Sequence, residues 1–181
     1  MPLRQLSTVA ETLAWLRQQG ARALTTASRL VTPGDAFIAW PGTAQDGRRH
    51  VGAALASGAV ACVVEAQGVG AFHFGDDARI AAMHGLKTMT GELASGFMGL
   101  PSERLKIIAS TGTNGKTSTA WWVTQALTAL GRRCGVIGTL GVGEPPSASR
   151  PAAITSTGLT TPDPVTLQTT LKRFVEDGFV A

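Results

Sequence analysis

The 181 residues suffice for one or two domains, and the 44% share of apolar residues is enough to form a core. The net charge of +4 is small, and no run of lysine and arginine interleaved with aromatic residues indicates a nucleic-acid surface. No stretch approaches the roughly 18 apolar residues of a membrane span. We therefore expect a cytoplasmic protein that binds neither nucleic acid nor a membrane.

The first hundred residues alternate between short strands and helices. Thr8 and Glu11 have the spacing of a capping box, which predicts an amphipathic helix that ends at Gly20. The elements predicted after it are, in chain order, a strand at 37–40, a helix at 51–57, strands at 59–64 and about 71–74, and a helix at about 83–97. This alternation predicts a compact α/β domain. Cys62 and Cys134 lie inside apolar runs, so we expect two buried, reduced thiols.

A glycine-rich segment at 110–119 follows an apolar run at 105–109 and precedes a helical pattern that begins at about Thr117. The order of strand, glycine-rich turn and helix is typical of a phosphate-binding loop. Ser110 stands where the general pattern has its first glycine, so the loop is a variant of that pattern. The structural alternative is a turn that only connects a strand to a helix.

The residue types of the loop suit a nucleotide triphosphate. Gly112 and Gly115 let the backbone curl so that several N–H groups face one anion. The positive end of the following helix adds to the same place. Lys116 would neutralise the β- and γ-phosphates, and the Thr117 hydroxyl would ligate magnesium, which prefers oxygen.

The remainder of the chain predicts further α/β structure. Residues 134–138 predict a strand paired in parallel with 105–109 through a right-handed β-α-β crossover. Residues 144–153, rich in proline, serine and alanine, predict a flexible or hairpin loop. Asp163, followed by a proline, predicts a helix start. Residues 179–181 look like the opening of another strand, so we expect the N-terminal piece of a longer protein.

The loop resembles the ATP loop of the Mur ligases, the ATP-dependent enzymes that build the peptide of bacterial cell walls, through the string Gly112-Thr113-Asn114-Gly115-Lys116-Thr117. Two segments, Ser-Arg-x-Val-x-Pro-Gly-Asp-x-Phe-x-Ala at 28–39 and Gly-x-x-x-Asp-Gly-Arg at 42–48, resemble the uridine-nucleotide domain of the MurE and MurF types. Thr-Thr-Pro-Asp-Pro at 160–164 resembles a MurE signature.

The resemblance implies two sets of site residues. ATP would be bound by Gly112, Thr113, Asn114, Gly115, Lys116, Thr117 and Ser118, with Lys116 and Thr117 catalytic and Thr117 the magnesium ligand. The uridine-linked substrate would be bound by Ser28, Arg29, Thr43, Ala44, Gln45, Thr160 and Thr161. Arg48 and Arg49 are either a solvated pair or a phosphate clamp.

The implied fold is α/β: a small uridine-nucleotide domain at 1–102 and the first part of a parallel-sheet ATP domain at 103–181, with the rest of that domain and a third domain absent. The implied activity, of a monomer using ATP and Mg²⁺, is peptidoglycan precursor synthesis. A diamino acid, meso-diaminopimelate or lysine, would be joined to UDP-N-acetylmuramoyl-L-alanyl-D-glutamate through an acyl phosphate.

Two alternatives remain open from the sequence. One is another ligase of this superfamily, of the MurF or folylpolyglutamate type, against which Thr117 and the Thr-Thr-Pro-Asp string argue. The other is a nucleotide-binding module without catalytic activity, which is what we expect of the 181 residues in isolation.

Overall fold

The computed structural model describes residues 3–43, 45–148, 150–158 and 161–181. These residues form two compact units, Met1–Phe97 and Met98–Ala181. The boundary lies before the predicted one at 102/103, because the short 3-10 helix Pro101–Arg104 packs against a helix of the second unit. Two predicted substrate residues, Ala44 and Thr160, lie outside the described ranges. No helix in these ranges is long and apolar enough to cross a membrane.

The first unit alternates strands with helices. Its strands and α-helices are, in chain order, β1 (Arg4–Leu6), α1 (Val9–Gln18), β2 (Ala23–Thr25), β3 (Asp35–Ala39), α2 (Val51–Ala56), β4 (Ala61–Glu65), β5 (Ile80–Met83) and α3 (Leu86–Phe97). Three 3-10 helices lie in the connections, at Ser28–Leu30, Gly47–His50 and Val69–Ala71. The predicted α/β class is confirmed.

The five strands form one parallel sheet in the order β1-β5-β4-β3-β2. Every residue of β4 and β5 is buried, as in a parallel sheet covered on both faces. One face contributes Phe37, Cys62, Val64 and Ile80 to a core with Val51 of α2. Because all strands are parallel, the segments that follow them meet at the carboxyl edge of the sheet, where ligands of open α/β sheets bind.

The structure of this unit differs from the sequence prediction in its short strands and in the start of its last helix. Strands β1, β2 and β5 were not predicted, because each has only three or four residues. The strand expected at 71–74 does not form, and the Phe72 and Phe74 rings stack on each other at 5.5 Å instead. The helix expected from about 83 begins at Leu86, because the preceding residues belong to β5. The prediction for the thiols is confirmed, since Cys62 and Cys134 are free and buried.

The second unit contains two long helices and a small antiparallel sheet. Its elements are α4 (Lys116–Ala129), β6 (Val136–Gly138), β7 (Gly141–Glu144), β8 (Ala153–Thr155) and α5 (Pro164–Glu176). The strand order is β6-β7-β8. A core cluster joins α5 to the rest of the unit through Leu105, Val142, Leu171, Phe174 and Phe179.

The predicted direct pairing of 105–109 with 134–138 is wrong. The Lys106 N–H donates to the Val180 carbonyl at 3.0 Å, and the Val180 N–H donates to the Arg133 carbonyl at 2.9 Å. The 179–181 segment therefore lies between the two segments that were expected to be neighbours. Residues 106–110 form no regular strand, and Ile107 and Ile108 are exposed.

Candidate nucleotide sites

The glycine-rich loop leads directly into α4, which begins at Lys116, one residue before the predicted start. Gly112 and Gly115 have φ angles of 130° and 77°, in the region that favours glycine. Gly115 is the N-cap, and no side chain caps the helix. Because the first N–H groups of a helix have no acceptor within it, those of the first turn of α4 are available to an anion.

At each of the other long helices of the described residues, a side chain of the protein accepts a hydrogen bond from the first turn. The Thr8 hydroxyl accepts from the Glu11 N–H at α1, and the Asp163 carboxylate accepts from the Val165 N–H at α5. At α3 the Glu65 carboxylate accepts from the Leu86 N–H. Of the four α-helices that have ten or more described residues, α4 is the one whose N-terminus has no such side-chain acceptor.

The Lys116 side chain folds back over the loop. Its ammonium donates to the Gly112 carbonyl and, at 3.3 Å, to the Thr113 carbonyl. An ammonium has three donors and no acceptor, so one N–H remains for a ligand. Positive charge is thus held at the N-terminus of α4, where the helix dipole also favours an anion. Residues 106–119 are all exposed, so this arrangement is open to solvent.

Thr117 lies in the first turn of α4, next to Lys116 in the chain. Its hydroxyl is a hard oxygen ligand of the kind that magnesium accepts, and magnesium in nucleotide sites keeps several waters and phosphate oxygens. No group of three or more His, Cys, Asp or Glu that could hold a metal occurs among the residues described. The Thr117 hydroxyl is thus a group that fits a magnesium ion held mainly by phosphate oxygens and water.

The predicted uridine-nucleotide residues follow two neighbouring strands of the first sheet. Ser28 and Arg29 lie in the 3-10 helix after β2, and Thr43 and Gln45 lie in the loop after β3. Strands β2 and β3 pair in parallel, so both segments lie at the carboxyl edge. Ser28 is half-buried, and the other three are exposed.

Arg48 is neither of the predicted alternatives. It is buried, its guanidinium bonds Asp46 and two main-chain carbonyls, and it is therefore not half of a solvated pair or a free phosphate clamp. Arg49 is exposed. Sequence analysis missed the role of Arg48, and the only local signal was the Asp-x-Arg spacing.

The segment before α5 has the capping that its sequence predicts. The Asp163 carboxylate accepts from the Val165 and Thr166 N–H groups at 3.0 and 3.3 Å, and Pro164 occupies the first helical position. Thr161 is exposed and lies two residues before Asp163. Its predicted contact with the substrate stays a prediction.

Comparison with known proteins adds family information to this geometry. A protein-family model described as "Mur ligase family, catalytic domain" matches residues 16–94 of the sequence. A second family model, described as "Mur ligase middle domain", matches residues 111–180. The first match lies in the unit with the parallel sheet. The second contains the glycine-rich loop, α4 and α5.

Two similar proteins carry the same name. The chain is 51% identical to UDP-N-acetylmuramoyl-L-alanyl-D-glutamate--2,6-diaminopimelate ligase of Acidovorax sp. (strain JS42), over 97% of this chain and 35% of that protein. It is 45% identical to the ligase of the same name from Pseudomonas aeruginosa, over 98% of this chain and 34% of that protein. The chain thus spans about a third of the length of these relatives.

A solved structure of a ligase of that name superimposes with a TM-score of 0.68 at 28% identity, over 88% of this chain and 30% of that one. Two Mur ligase models therefore match in succession, highly identical relatives align along nearly the whole chain, and the fold agrees with that of a solved ligase. From these matches, together with the glycine-rich loop and the uncapped N-terminus of α4, we conclude that the chain belongs to the Mur ligase family.

Proposed function

We propose that the chain provides the uridine-nucleotide and ATP-loop parts of a ligase that adds diaminopimelate to UDP-N-acetylmuramoyl-L-alanyl-D-glutamate. The observation that carries this proposal is the N-terminus of α4, where no side chain caps the first N–H groups and the Lys116 ammonium lies over the loop carbonyls next to Thr117 in the chain. The names of the relatives favour diaminopimelate over lysine as the added amino acid.

The reaction follows from the chemistry of the substrates. The substrate carboxylate attacks the γ-phosphorus of ATP, ADP leaves, and an acyl phosphate forms. The amine of diaminopimelate then attacks the acyl carbon, phosphate leaves, and the amine loses a proton to give the amide. Positioning and charge neutralisation supply most of the catalysis in phosphoryl transfer. Magnesium would neutralise the phosphate charge.

The residues of the chain have separate tasks in this proposal. The N–H groups of the first turn of α4 hold the phosphate chain, Lys116 stabilises the charge of the transferred phosphoryl group, and the Thr117 hydroxyl holds magnesium. Residues at the carboxyl edge of the first sheet, Ser28 and Thr43 among them, hold the uridine nucleotide.

Calorimetric titration of the 181-residue chain with UDP and with ATP and Mg²⁺ tests the binding part. We expect one site for each nucleotide, and we expect UDP to bind with the same affinity when ATP is saturating. A folded chain that binds no ATP would contradict the assignment of the loop.

A second candidate function is a nucleotide-binding module without turnover, since the uncapped N-terminus of α4 suits an anion whether or not a reaction follows. A phosphate-release assay with UDP-N-acetylmuramoyl-L-alanyl-D-glutamate, ATP and diaminopimelate separates the two. Release that requires all three substrates identifies a ligase. Binding of both nucleotides without release identifies the module.

A further inference from the structure

The described residues of the segment 40–47, which follows β3 and leads into the 3-10 helix Gly47–His50, form a closed turn. The Gly42 N–H donates to the Gln45 carbonyl at 2.8 Å, and the Gly47 N–H donates to the Trp40 carbonyl at 3.1 Å. A Cβ on Gly42 would lie 2.8 Å from the Gln45 oxygen, and one on Gly47 would lie 3.1 Å from the Trp40 oxygen. The approach at Gly42 needs glycine, and the one at Gly47 leaves little room for a Cβ. The two hydrogen bonds close the turn that carries Thr43 and Gln45.

Arg48 follows this turn and connects it to another part of the sheet edge. Its Nε and Nη2 donate to the Asp46 carboxylate at 3.0 and 2.7 Å, and its Nη1 donates to the carbonyls of Glu65 and Gln67 at 3.0 and 2.5 Å. The guanidinium carbon lies 4.6 Å from the centre of the Phe72 ring. The Arg48 side chain is only 7% exposed.

These contacts join two loops that belong to neighbouring strands. Asp46 is part of the turn after β3, whereas the carbonyls of Glu65 and Gln67 belong to the end of β4 and the segment after it. A guanidinium offers several donors in a rigid fork, which a lysine ammonium cannot reproduce. The side chain thus fixes where the turn stands at the carboxyl edge.

We infer that Arg48 is a positioning residue for the uridine nucleotide: by clamping the 40–47 turn to the end of β4, it holds Thr43 and Gln45 in the orientation that binds. The inference rests on the proposed function of the first unit. Arg48 does not touch the ligand itself in this account, because each nitrogen of its guanidinium already donates within the protein and its side chain is buried.

The chain offers a matched control for Arg48. Arg79 makes the same local arrangement with the aspartate two residues before it, since its N–H and Nε donate to Asp77 at 2.9 Å and its Nη2 donates at 2.6 Å. The Arg79 side chain is 49% exposed, and no bond from it to a carbonyl of another strand occurs among the described residues. Arg79→Met therefore removes an Asp-x-Arg pair without removing a clamp.

The test compares Arg48→Met, Arg48→Lys and Arg79→Met in the 181-residue chain, with folding checked by circular dichroism. Calorimetry with UDP is expected to show at least a tenfold rise in Kd for Arg48→Met and a change under twofold for Arg79→Met. Arg48→Lys is expected to resemble Arg48→Met, because it keeps the charge and loses the fork. A folded Arg48→Met with the wild-type Kd, or full rescue by lysine, would overturn the inference.

Amide hydrogen exchange provides a readout that does not depend on the ligand. We expect the Gly42 and Gly47 amides to exchange at least tenfold faster in Arg48→Met, with the amides of Val63 and Ala81 at the centre of the sheet unchanged. An equal acceleration at all four amides would mean that Arg48 only stabilises the unit, and would overturn the inference. A wild-type chain that binds no UDP, together with selective acceleration at Gly42 and Gly47, would instead disprove the proposed site while leaving the clamp established.

Discussion

The carboxylate of Glu65 accepts a hydrogen bond from the main-chain N–H of Leu86 at 2.8 Å, across 21 residues of sequence. The same carboxylate accepts from the Gly85 N–H at 3.2 Å, so the N-terminus of α3 holds an anion that belongs to the protein. At α4 the residues described supply no such group. The two helices differ in whether a carboxylate of the chain accepts from the first N–H groups, and this difference supports the phosphate site proposed at α4.

Replacing Glu65 with glutamine should destabilise the first unit. The variant keeps the shape of the side chain but loses the negative charge at the start of α3, and the side chain is only partly able to satisfy the same N–H groups. We expect a loss of about 1–2 kcal/mol in the free energy of unfolding, measured by urea unfolding. Glu92→Gln, at an exposed position of the same helix, should change it by less than about 0.5 kcal/mol. Equal effects of the two substitutions would contradict this assignment.

Replacing Lys116 with alanine should weaken ATP binding without affecting UDP binding. The substitution removes the ammonium that lies over the loop, and a hydrogen bond to a charged group contributes about 1.5–3 kcal/mol, which corresponds to a rise in Kd of at least about tenfold. Calorimetry of the chain with ATP and Mg²⁺ measures it. Lys172→Ala, on the exposed side of α5, is the control and should bind ATP as the wild type does. Unchanged ATP affinity in folded Lys116→Ala would remove Lys116 from the site.

Replacing Gly135 with alanine should destabilise the second unit. A Cβ at this position would lie 2.3–2.8 Å from three carbons of the Phe174 ring, which itself stacks on Phe179 at 4.6 Å. The ring cannot withdraw without disturbing the core, so we expect a loss of about 1–3 kcal/mol. Native-state exchange of the Val180 amide measures it.

The control for this prediction is Gly138→Ala in β6, where a Cβ would meet no atom within 4 Å. It should leave the exchange of the Val180 amide unchanged within about 0.5 kcal/mol. If Gly135→Ala behaved in the same way, the close approach of Phe174 would not be a feature of the folded protein.

Stability should fall at alkaline pH because of Cys62. Burial raises the pKa of the Cys62 thiol from its ordinary value of 9.0 to about 12. Above pH 9 the unfolded chain loses this proton while the folded chain keeps it, so the contribution of the neutral thiol is complete below pH 9 and is lost as the pH rises toward 12.

Urea unfolding of the wild type and Cys62→Ala between pH 7 and pH 10.5 checks this dependence. The substitution leaves a cavity and should lower stability at every pH. The difference between the two proteins should narrow above pH 9, because only the wild type has the thiol to ionise on unfolding. Parallel curves over the whole range would show that Cys62 does not contribute to the alkaline loss.

Sequence patterns were sufficient to predict an element where its structure depends on residues that are close together along the chain. The start of α5 is determined by Asp163 and the proline after it, and both were identified. The parallel strand β5 was missed because Ile80–Met83 is four residues long and contains two alanines, which do not favour strands. No strand forms at 71–74, where a 3-10 helix ends at Ala71 and Phe72 packs against the Arg48 guanidinium, a contact that nothing local indicates.

The candidate sites likewise contain residues that the sequence could identify and residues that it could not. The glycines and Lys116 of the loop could be identified because their spacing is itself the signal. The two carbonyls that Arg48 binds lie 17 and 19 residues away, and the Leu86 N–H that Glu65 binds lies 21 residues away, so the clamp and the internal anion depend on strand order, which the sequence did not reveal. The hydrogen bonding of Lys106 to Val180 and of Val180 to Arg133 was not predicted for the same reason, because it joins residues that are far apart in the sequence.

The place of Val180 between Lys106 and Arg133 has a consequence for synthesis on the ribosome. The last strand that the first sheet needs is β5, which ends at Met83, so that unit can close early in translation. The second unit leaves the apolar residues Leu105 and Phe174 without their partner Phe179 until nearly the whole of the described chain has emerged. The glycine-rich loop is thus translated well before the core of its own unit can form, and a nascent chain held at about residue 150 would have a finished first unit and an unfinished second unit.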